Sequence, residues 1–274
     1  RKFIAPEIFK YESEDYLVTS IIGSYPELFF NNIHKSFDLS SIQKVFRNAF
    51  NGLSFSILYI QESLIELKTG WCDKLDYLNK IIVSPLNDRF VFKDEKYLLG
   101  KSDEKSENFD VLYFAIRDLK EAIIPSNIKI IKSCAFQNCE MLRKIEFEPN
   151  SNLQTIEESA FSKTCIKEII IPSSVTKIGK KAFFYCADLQ KIEFQPDSKI
   201  QTIGMNSFDM PKVKEFSIPP SVVKIGKSKR LTSHGFQKIE IPTNSNLQTI
   251  GKRAFIGSDI EELYLPKGLT NLED

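Results

Sequence analysis

Pro125, Pro172, Pro219 and Pro266 stand 47 residues apart without a slip, and each follows a short apolar run. Between them a second marker recurs. Phe136, Phe161, Phe183, Phe208, Arg230 and Phe255 are separated by 25, 22, 25, 22 and 25 residues, so two turn lengths alternate and sum to the proline period. The best-formed copy is Leu189–Phe208, LQKIEFQPDSKIQTIGMNSF. A unit of 22 to 25 residues cannot bury an apolar face alone, so neighbouring units must stack and share one continuous core.

Within each copy, Leu189-x-x-Ile192-x-Phe194 has the alternation of a short strand with one face in a core. The signature returns at Leu78-Ile81-Val83, Leu119-Ala122-Ile124, Leu142-Ile145-Phe147, Ile166-Ile169-Ile171, Val213-Phe216-Ile218, Phe236-Ile239-Ile241 and Ile260-Leu263-Leu265. A second apolar pair, Ile200-x-x-Ile203 in the best copy, brings the chain back, and the phenylalanine five residues later plugs the turn. The predicted fold is a curved, strand-rich leucine-rich-repeat solenoid of stacked parallel strands joined by short helical or irregular turns. Proline after the strand removes an N–H and stops it. The longer turns carry EPNSNLQTI, QPDSKIQTI or PTNSNLQTI, which is turn chemistry.

Residues 1–35 lack clean spacing and are predicted to form an N-terminal capping region with a degenerate turn; the repeats then occupy 36–274. FDLSSIQKVFRNAF (37–50) tracks IIPSSVTKIGKKAF (170–183), and Cys72 falls at the next plug position with Trp71 beside it as a substitute plug. Too many residues separate Cys72 from Phe136 for one turn, so an inserted hairpin and loop is expected at about 84–117, with KSDEKSEN (101–108) as its solvated loop. At Arg230 the plug is lost; Leu231 is expected to turn inward within a loose stretch, 227–235. The chain starts at Arg1 rather than methionine and stops within a turn, which predicts a piece of a longer protein.

Lys+Arg 37 against Asp+Glu 36 gives net charge +1 and selects neither nucleic acid nor an acidic membrane surface. No apolar run approaches the ~18 residues of a transmembrane helix. Five cysteines form no paired framework and read as buried thiols near the plugs, with a disulfide from Cys165 to Cys139 or Cys186 as the alternative. His34 and His234 are the only histidines and neither spacing builds a catalytic group. Gly100-Lys101-Ser102 and Gly226-Lys227-Ser228 end like phosphate loops but lack the first glycine. No metal, cofactor or catalytic motif stands in the sequence.

Parallel stacking places Lys80, Glu121, Lys144, Glu168, Lys191, Glu215, Lys238 and Glu262 in one outward column of alternating sign, expected to pair across strands and fix register. A neighbouring column contains Ile82, Ile123, Glu146, Ile170, Glu193, Ser217, Glu240 and Tyr264. From these two columns Lys144, Glu146, Glu168, Ile170, Lys191, Glu193, Glu215, Glu240 and Tyr264 are the candidate ligand-binding face. On the opposite side Lys180-Lys181, Lys227, Lys229-Arg230 and Lys252-Arg253 form a basic stripe, interrupted by Glu157-Glu158 and Met205-Asn206, that could follow a polyanion or simply be solvated.

The stretch IPSSVTKIGKKAFFYCADLQKIEF, 171–194, resembles the BspA-like class of leucine-rich repeats, and the resemblance covers about Phe37–Leu272. FDVLYFAIRD (109–118) and the NSNLQTI connectors are similar to protist branches of that family. The resemblance implies a surface or secreted protein of a host-associated microbe that adheres to host cells or matrix through a protein or glycan ligand. An intracellular interaction scaffold is the alternative, suggested by the unpaired cysteines and by the absence of Asn-x-Ser/Thr sequons.

Overall fold

The computed structural model describes residues 36–50, 53–208, 212–227, 236–255 and 258–273, together with the backbone of four strands before residue 22. The chain forms two compact units, 1–117 and 118–274, each a parallel β-solenoid. His34, Arg230, Leu231 and His234 lie outside the described residues, as does most of the stretch expected to be loose.

In the first unit the strands run β1 (Lys2–Ile4), β2 (Ile8–Tyr11), β3 (Glu14–Leu17), β4 (Ser20–Ile21), β5 (Ser36–Asp38), β6 (Lys44–Val45), β7 (Ile57–Ile60), β8 (Glu66–Leu67) and β9 (Lys80–Val83). A front column, β1-β5-β7-β9, and a return column, β4-β6-β8, are each parallel, with Phe37 opposite Leu58 and Val45 opposite Leu67. β2 and β3 form an antiparallel hairpin. Phe37, Phe50 and Trp71 are fully buried; Trp71 lies edge-on to Phe50 at 6.3 Å and against Phe114 at 5.9 Å, so the indole fills the plug site. β10 (Phe90–Lys93), β11 (Tyr97–Gly100) and β12 (Val111–Ala115) are antiparallel, the first turn made by Asp94 and Glu95 at φ 54 and 53.

The second unit alternates a front and a return strand in every turn: β13 (Glu121–Ile124), β14 (Ile130–Ile131), β15 (Lys144–Phe147), β16 (Thr155–Ile156), β17 (Glu168–Ile171), β18 (Lys177–Ile178), β19 (Lys191–Phe194), β20 (Thr202–Ile203), β21 (Glu215–Ser217), β22 (Lys224–Ile225), β23 (Lys238–Glu240), β24 (Thr249–Ile250) and β25 (Asn271–Leu272). The even-numbered strands from β14 to β24, followed by β25, form an unbroken parallel ladder, and Gly179, Gly204, Gly226 and Gly251 extend it by donating their N–H to the turn below at 2.7–2.9 Å. At the other corner Phe136, Phe161, Phe183 and Phe208 stack at 4.9–5.3 Å with planes within 16°. Above Phe208 the aromatic stack moves sideways to Phe216 and Phe236, at 5.4 and 5.3 Å. Those two residues occupy strand positions that are aliphatic in most copies.

The plug turns, expected to be short helical or irregular, hold no helix among the described residues. A left-handed residue two before and two after the plug makes each bend, as at Ser159 and Lys163 around Phe161 and Lys181 and Tyr185 around Phe183. The long connectors close on serine: Leu153, Ile200 and Leu247 N–H donate to the hydroxyls of Ser151, Ser198 and Ser245. Ser174 and Ser221 of the short connectors donate in turn to the carbonyls of Ser151 and Ser198 at 2.7 Å.

None of the five cysteines is in a disulfide, and all but Cys165 are buried. Burial pushes the Cys72 and Cys186 thiols up to about 11 from an ordinary 9.0. A group with a raised folded pKa contributes its full stability below the unfolded value and loses it as pH rises through the folded one. Stability, read as the urea midpoint, is therefore expected to fall between pH 9 and 11, and to fall less in a Cys72→Ala/Cys186→Ala variant. Equal losses in both proteins would contradict the thiol assignment.

Candidate functional site

The candidate face is the front column of the second unit. Its alternation follows from strand geometry: Ile145, Ile169, Ile192, Phe216 and Ile239 point into the core, so the residues on either side point out. Lys144, Glu146, Glu168, Ile170, Lys191, Glu193, Glu215, Glu240 and Tyr264 are all exposed, Ile170 at 51% and Tyr264 at 77%. The expected register is present, with Glu121 opposite Lys144, Glu168 opposite Lys191 and Glu215 opposite Lys238.

Two features depart from the expected continuous, cross-paired column. First, the shortest ion pairs run along the strands: Lys144–Glu146 2.7 Å, Lys191–Glu193 2.8 Å and Lys238–Glu240 2.5 Å. The long lysine arm reaches the carboxylate two residues ahead on the same face. That hydrogen bond holds each lysine above its usual pKa, and the cross-strand carboxylates Glu121 and Glu168 act on Lys144 as weaker, longer-range charges. Glu121, Glu168 and Glu215 consequently recur at every second rung with no close cation among the described ion pairs.

Second, the front strands pair two by two, as β13-β15, β17-β19 and β21-β23, and no ladder joins β15 to β17 or β19 to β21. In the first two pairs the residue after the upper strand closes the ladder: Glu148 and Gln195 donate N–H to the Ile124 and Ile171 carbonyls at 3.0 and 2.9 Å, while β23, followed by Ile241 and Pro242, is held to β21 by the Ile218 N–H donating to the Glu240 carbonyl at 2.9 Å. At the intervening rungs the residue in the place of Glu148 and Gln195 is Pro172 or Pro219, which has no N–H to give. The last strand copy, Ile260–Leu265, follows the same rule at Pro266 and is not a strand. Tyr264 therefore stands on extended chain beside β23, its hydroxyl donating to Glu262 at 3.0 Å.

The breaks open two clefts. One, about 900 Å³, is lined by Ile170 and Glu193 with Pro196, Asp197, Ser217 and Pro219. The other, about 910 Å³, brings Glu240 and Tyr264 together with Ser217, Asp259, Glu261 and Glu262. Both are in the size range of small-ligand pockets. Lys144, Glu146, Glu168, Lys191 and Glu215 line neither cleft and lie on the paired strands. The sequence columns held Ser217 without singling it out and missed Asp259 and Glu261; the periodic prolines were the signal that could have found the clefts.

Among the described residues there is no cluster of three or more His, Cys, Asp or Glu residues suited to a metal ion, and no helix long and apolar enough to cross a membrane. The arrangement offers shape, carboxylates, ammonium groups and an exposed phenol ring, groups able to make polar and apolar contacts.

No curated protein matches the chain. Among solved structures it is similar to a leucine-rich repeat protein from Eubacterium ventriosum, with TM-score 0.69 and 22% identity over 88% of this chain. The match spans 64% of that protein. Looser matches are the pneumococcal vaccine antigen PcpA (TM-score 0.41, 14% identity, 100% of this chain and 68% of that one) and a leucine rich cell surface protein from Faecalibacterium prausnitzii (0.40, 13%, 99% and 77%). The model of the BspA type leucine rich repeat region matches residues 110–229 and 154–274, the stretch that carries the alternating turns, the phenylalanine stack and the split front ladder. The chain belongs to the BspA type leucine-rich repeat family.

Proposed function

We propose that the second unit is a non-enzymatic recognition module whose front-face clefts take a protein or glycan ligand, and that the protein works as a surface antigen or adhesin contacting host cells or matrix. The observation that carries the binding role is the splitting of the front ladder. It places clefts of about 900 Å³ beside exposed Ile170 and Tyr264, flanked by Glu193 and Glu240, on a scaffold otherwise held by regular hydrogen bonds. An exposed tyrosine beside carboxylates supports contact with a partner carrying both apolar and basic groups. Family membership supports the surface location, and the FDVLYFAIRD segment with the NSNLQTI connectors supports a place in the protist branch.

Two experiments test this reading. Intact source cells treated with a membrane-impermeant amine reagent are expected to yield labelled protein; an unlabelled product beside a labelled surface control would remove the adhesin. In binding to host cells or isolated matrix, a Glu193→Lys/Glu240→Lys variant is expected to lose at least tenfold in affinity while keeping its thermal midpoint. Unchanged affinity would take the clefts out of the site. Five cysteines without a disulfide favour a second reading, an intracellular scaffold in a reducing compartment. The labelling experiment separates the two.

A further inference from the structure

The return ladder of the second unit differs from the front face in both respects that matter for a long ligand. It is continuous from β14 to β25, with every strand in register, so its outward groups form one unbroken row. Its cations are also not neutralised in place. The first residue of each return strand points outward, because the second is buried, and from β16 to β24 these residues read Thr155, Lys177, Thr202, Lys224 and Thr249. Lysine and threonine alternate, so ammonium groups recur every second rung, or ~9.6 Å at ~4.8 Å per rung, with a half-exposed hydroxyl between them. Lys177 and Lys224 have no ion pair among the described residues, whereas Lys144, Lys191 and Lys238 on the front face each close on a carboxylate of their own strand. Lys227, exposed and also without an ion pair among the described residues, follows Lys224 at the next corner.

We propose that this row binds a linear anionic polysaccharide whose acidic groups repeat with each disaccharide, laid along the solenoid axis. The alternation selects that chemistry. Each two-rung step offers one cation for an acidic group and one hydroxyl for a further polar group of the disaccharide, in fixed register and without aromatic side chains on which nucleic-acid bases could stack. The protein supplies no covalent step; the ligand is held by charge and hydrogen bonds spread over several rungs, so binding weakens as salt screens the contacts. This surface is separate from the front clefts, and its test is independent of them.

The test uses the full chain with chondroitin sulfate as the probe, uncharged dextran as the control polymer and a single-stranded oligonucleotide as the competing polyanion, with affinity measured at low and at physiological salt. Wild type is expected to bind chondroitin sulfate in a salt-dependent way, to ignore dextran and to bind the oligonucleotide at least tenfold more weakly. Lys177→Gln/Lys224→Gln is expected to lose at least tenfold for chondroitin sulfate, and the charge reversal Lys177→Glu/Lys224→Glu more. Both change exposed side chains, and thermal melting checks that they fold. The Glu193→Lys/Glu240→Lys variant is expected to keep chondroitin sulfate binding. Absence of binding by wild type, unchanged binding by both lysine variants, or equal binding of the oligonucleotide would overturn the proposal.

Discussion

Replacing Phe161 with alanine is expected to destabilise the second unit by about 3–5 kcal/mol, the usual cost of deleting a fully buried aromatic side chain. Phe161 is completely buried and lies between two other rings, 4.9 Å from Phe136 and 5.3 Å from Phe183. Removing it deletes stacking contacts on both sides and leaves a cavity at a corner where each turn is held only by its neighbours. The surroundings cannot collapse easily, because the Phe161 N–H bonds the Ala182 carbonyl at 2.8 Å and its own carbonyl accepts from the thiol of Cys186 and the hydroxyl of Thr164. Urea unfolding measures the effect. Phe184→Ala, at a half-buried position outside the stack, is the comparison and is expected to cost far less. Equal losses for the two variants would refute the idea that the plug column carries the core.

The second large effect is expected at a residue with no side chain. A β-carbon at Gly204 would come within 2.5 Å of the Gly179 carbonyl carbon and 2.6 Å of the Lys180 nitrogen. Both are backbone atoms of the turn below, and no flexible side chain can yield. Gly179, Gly226 and Gly251 meet the preceding turn in the same way, at 2.5–2.6 Å. None of the four has positive φ, so glycine serves here for close approach and not for an unusual backbone. Gly204→Ala is expected to cost about 1–3 kcal/mol by overpacking. The rungs on either side must be pushed apart, lengthening the ladder bonds from Gly204 to Ile178 and from Gly226 to Ile203, now 2.9 and 2.7 Å. Gly268→Ala is the control: its nearest neighbour would be the Leu247 carbonyl oxygen at 4.0 Å, and no loss of stability is expected there. A Gly204→Ala midpoint equal to wild type would mean that the turns are not in backbone contact.

Much of this molecule is legible in the spacing of a few residue types. The plug interval located Phe136, Phe161 and Phe183, which are all fully buried, and placed Trp71 where the indole in fact lies. The strand signature placed the ladder register, down to Glu168 opposite Lys191. The candidate face was legible as a set of exposed residues but not as a site. Its columns were drawn as if every rung were bonded to the next, which missed the clefts that set Ile170 and Glu193 beside Ser217, and Glu240 beside Tyr264. The proline period contained that information, because a strand that ends at Pro172 or Pro219 cannot make the closing bond made by Glu148 and Gln195.

Period and polarity in the amino-acid sequence determined which residues face inward, since a repeat that recurs without a slip must present the same positions to its neighbours. The tertiary structure decided what depends on distances between neighbouring chains. It directed Lys144, Lys191 and Lys238 to carboxylates on their own strands, carried the aromatic stack across to Phe216 and Phe236, and brought Gly204 against the backbone beneath it. The reason is geometric: spacing along one chain sets the direction of each side chain, while how closely two rungs approach follows from the packing of every turn between them.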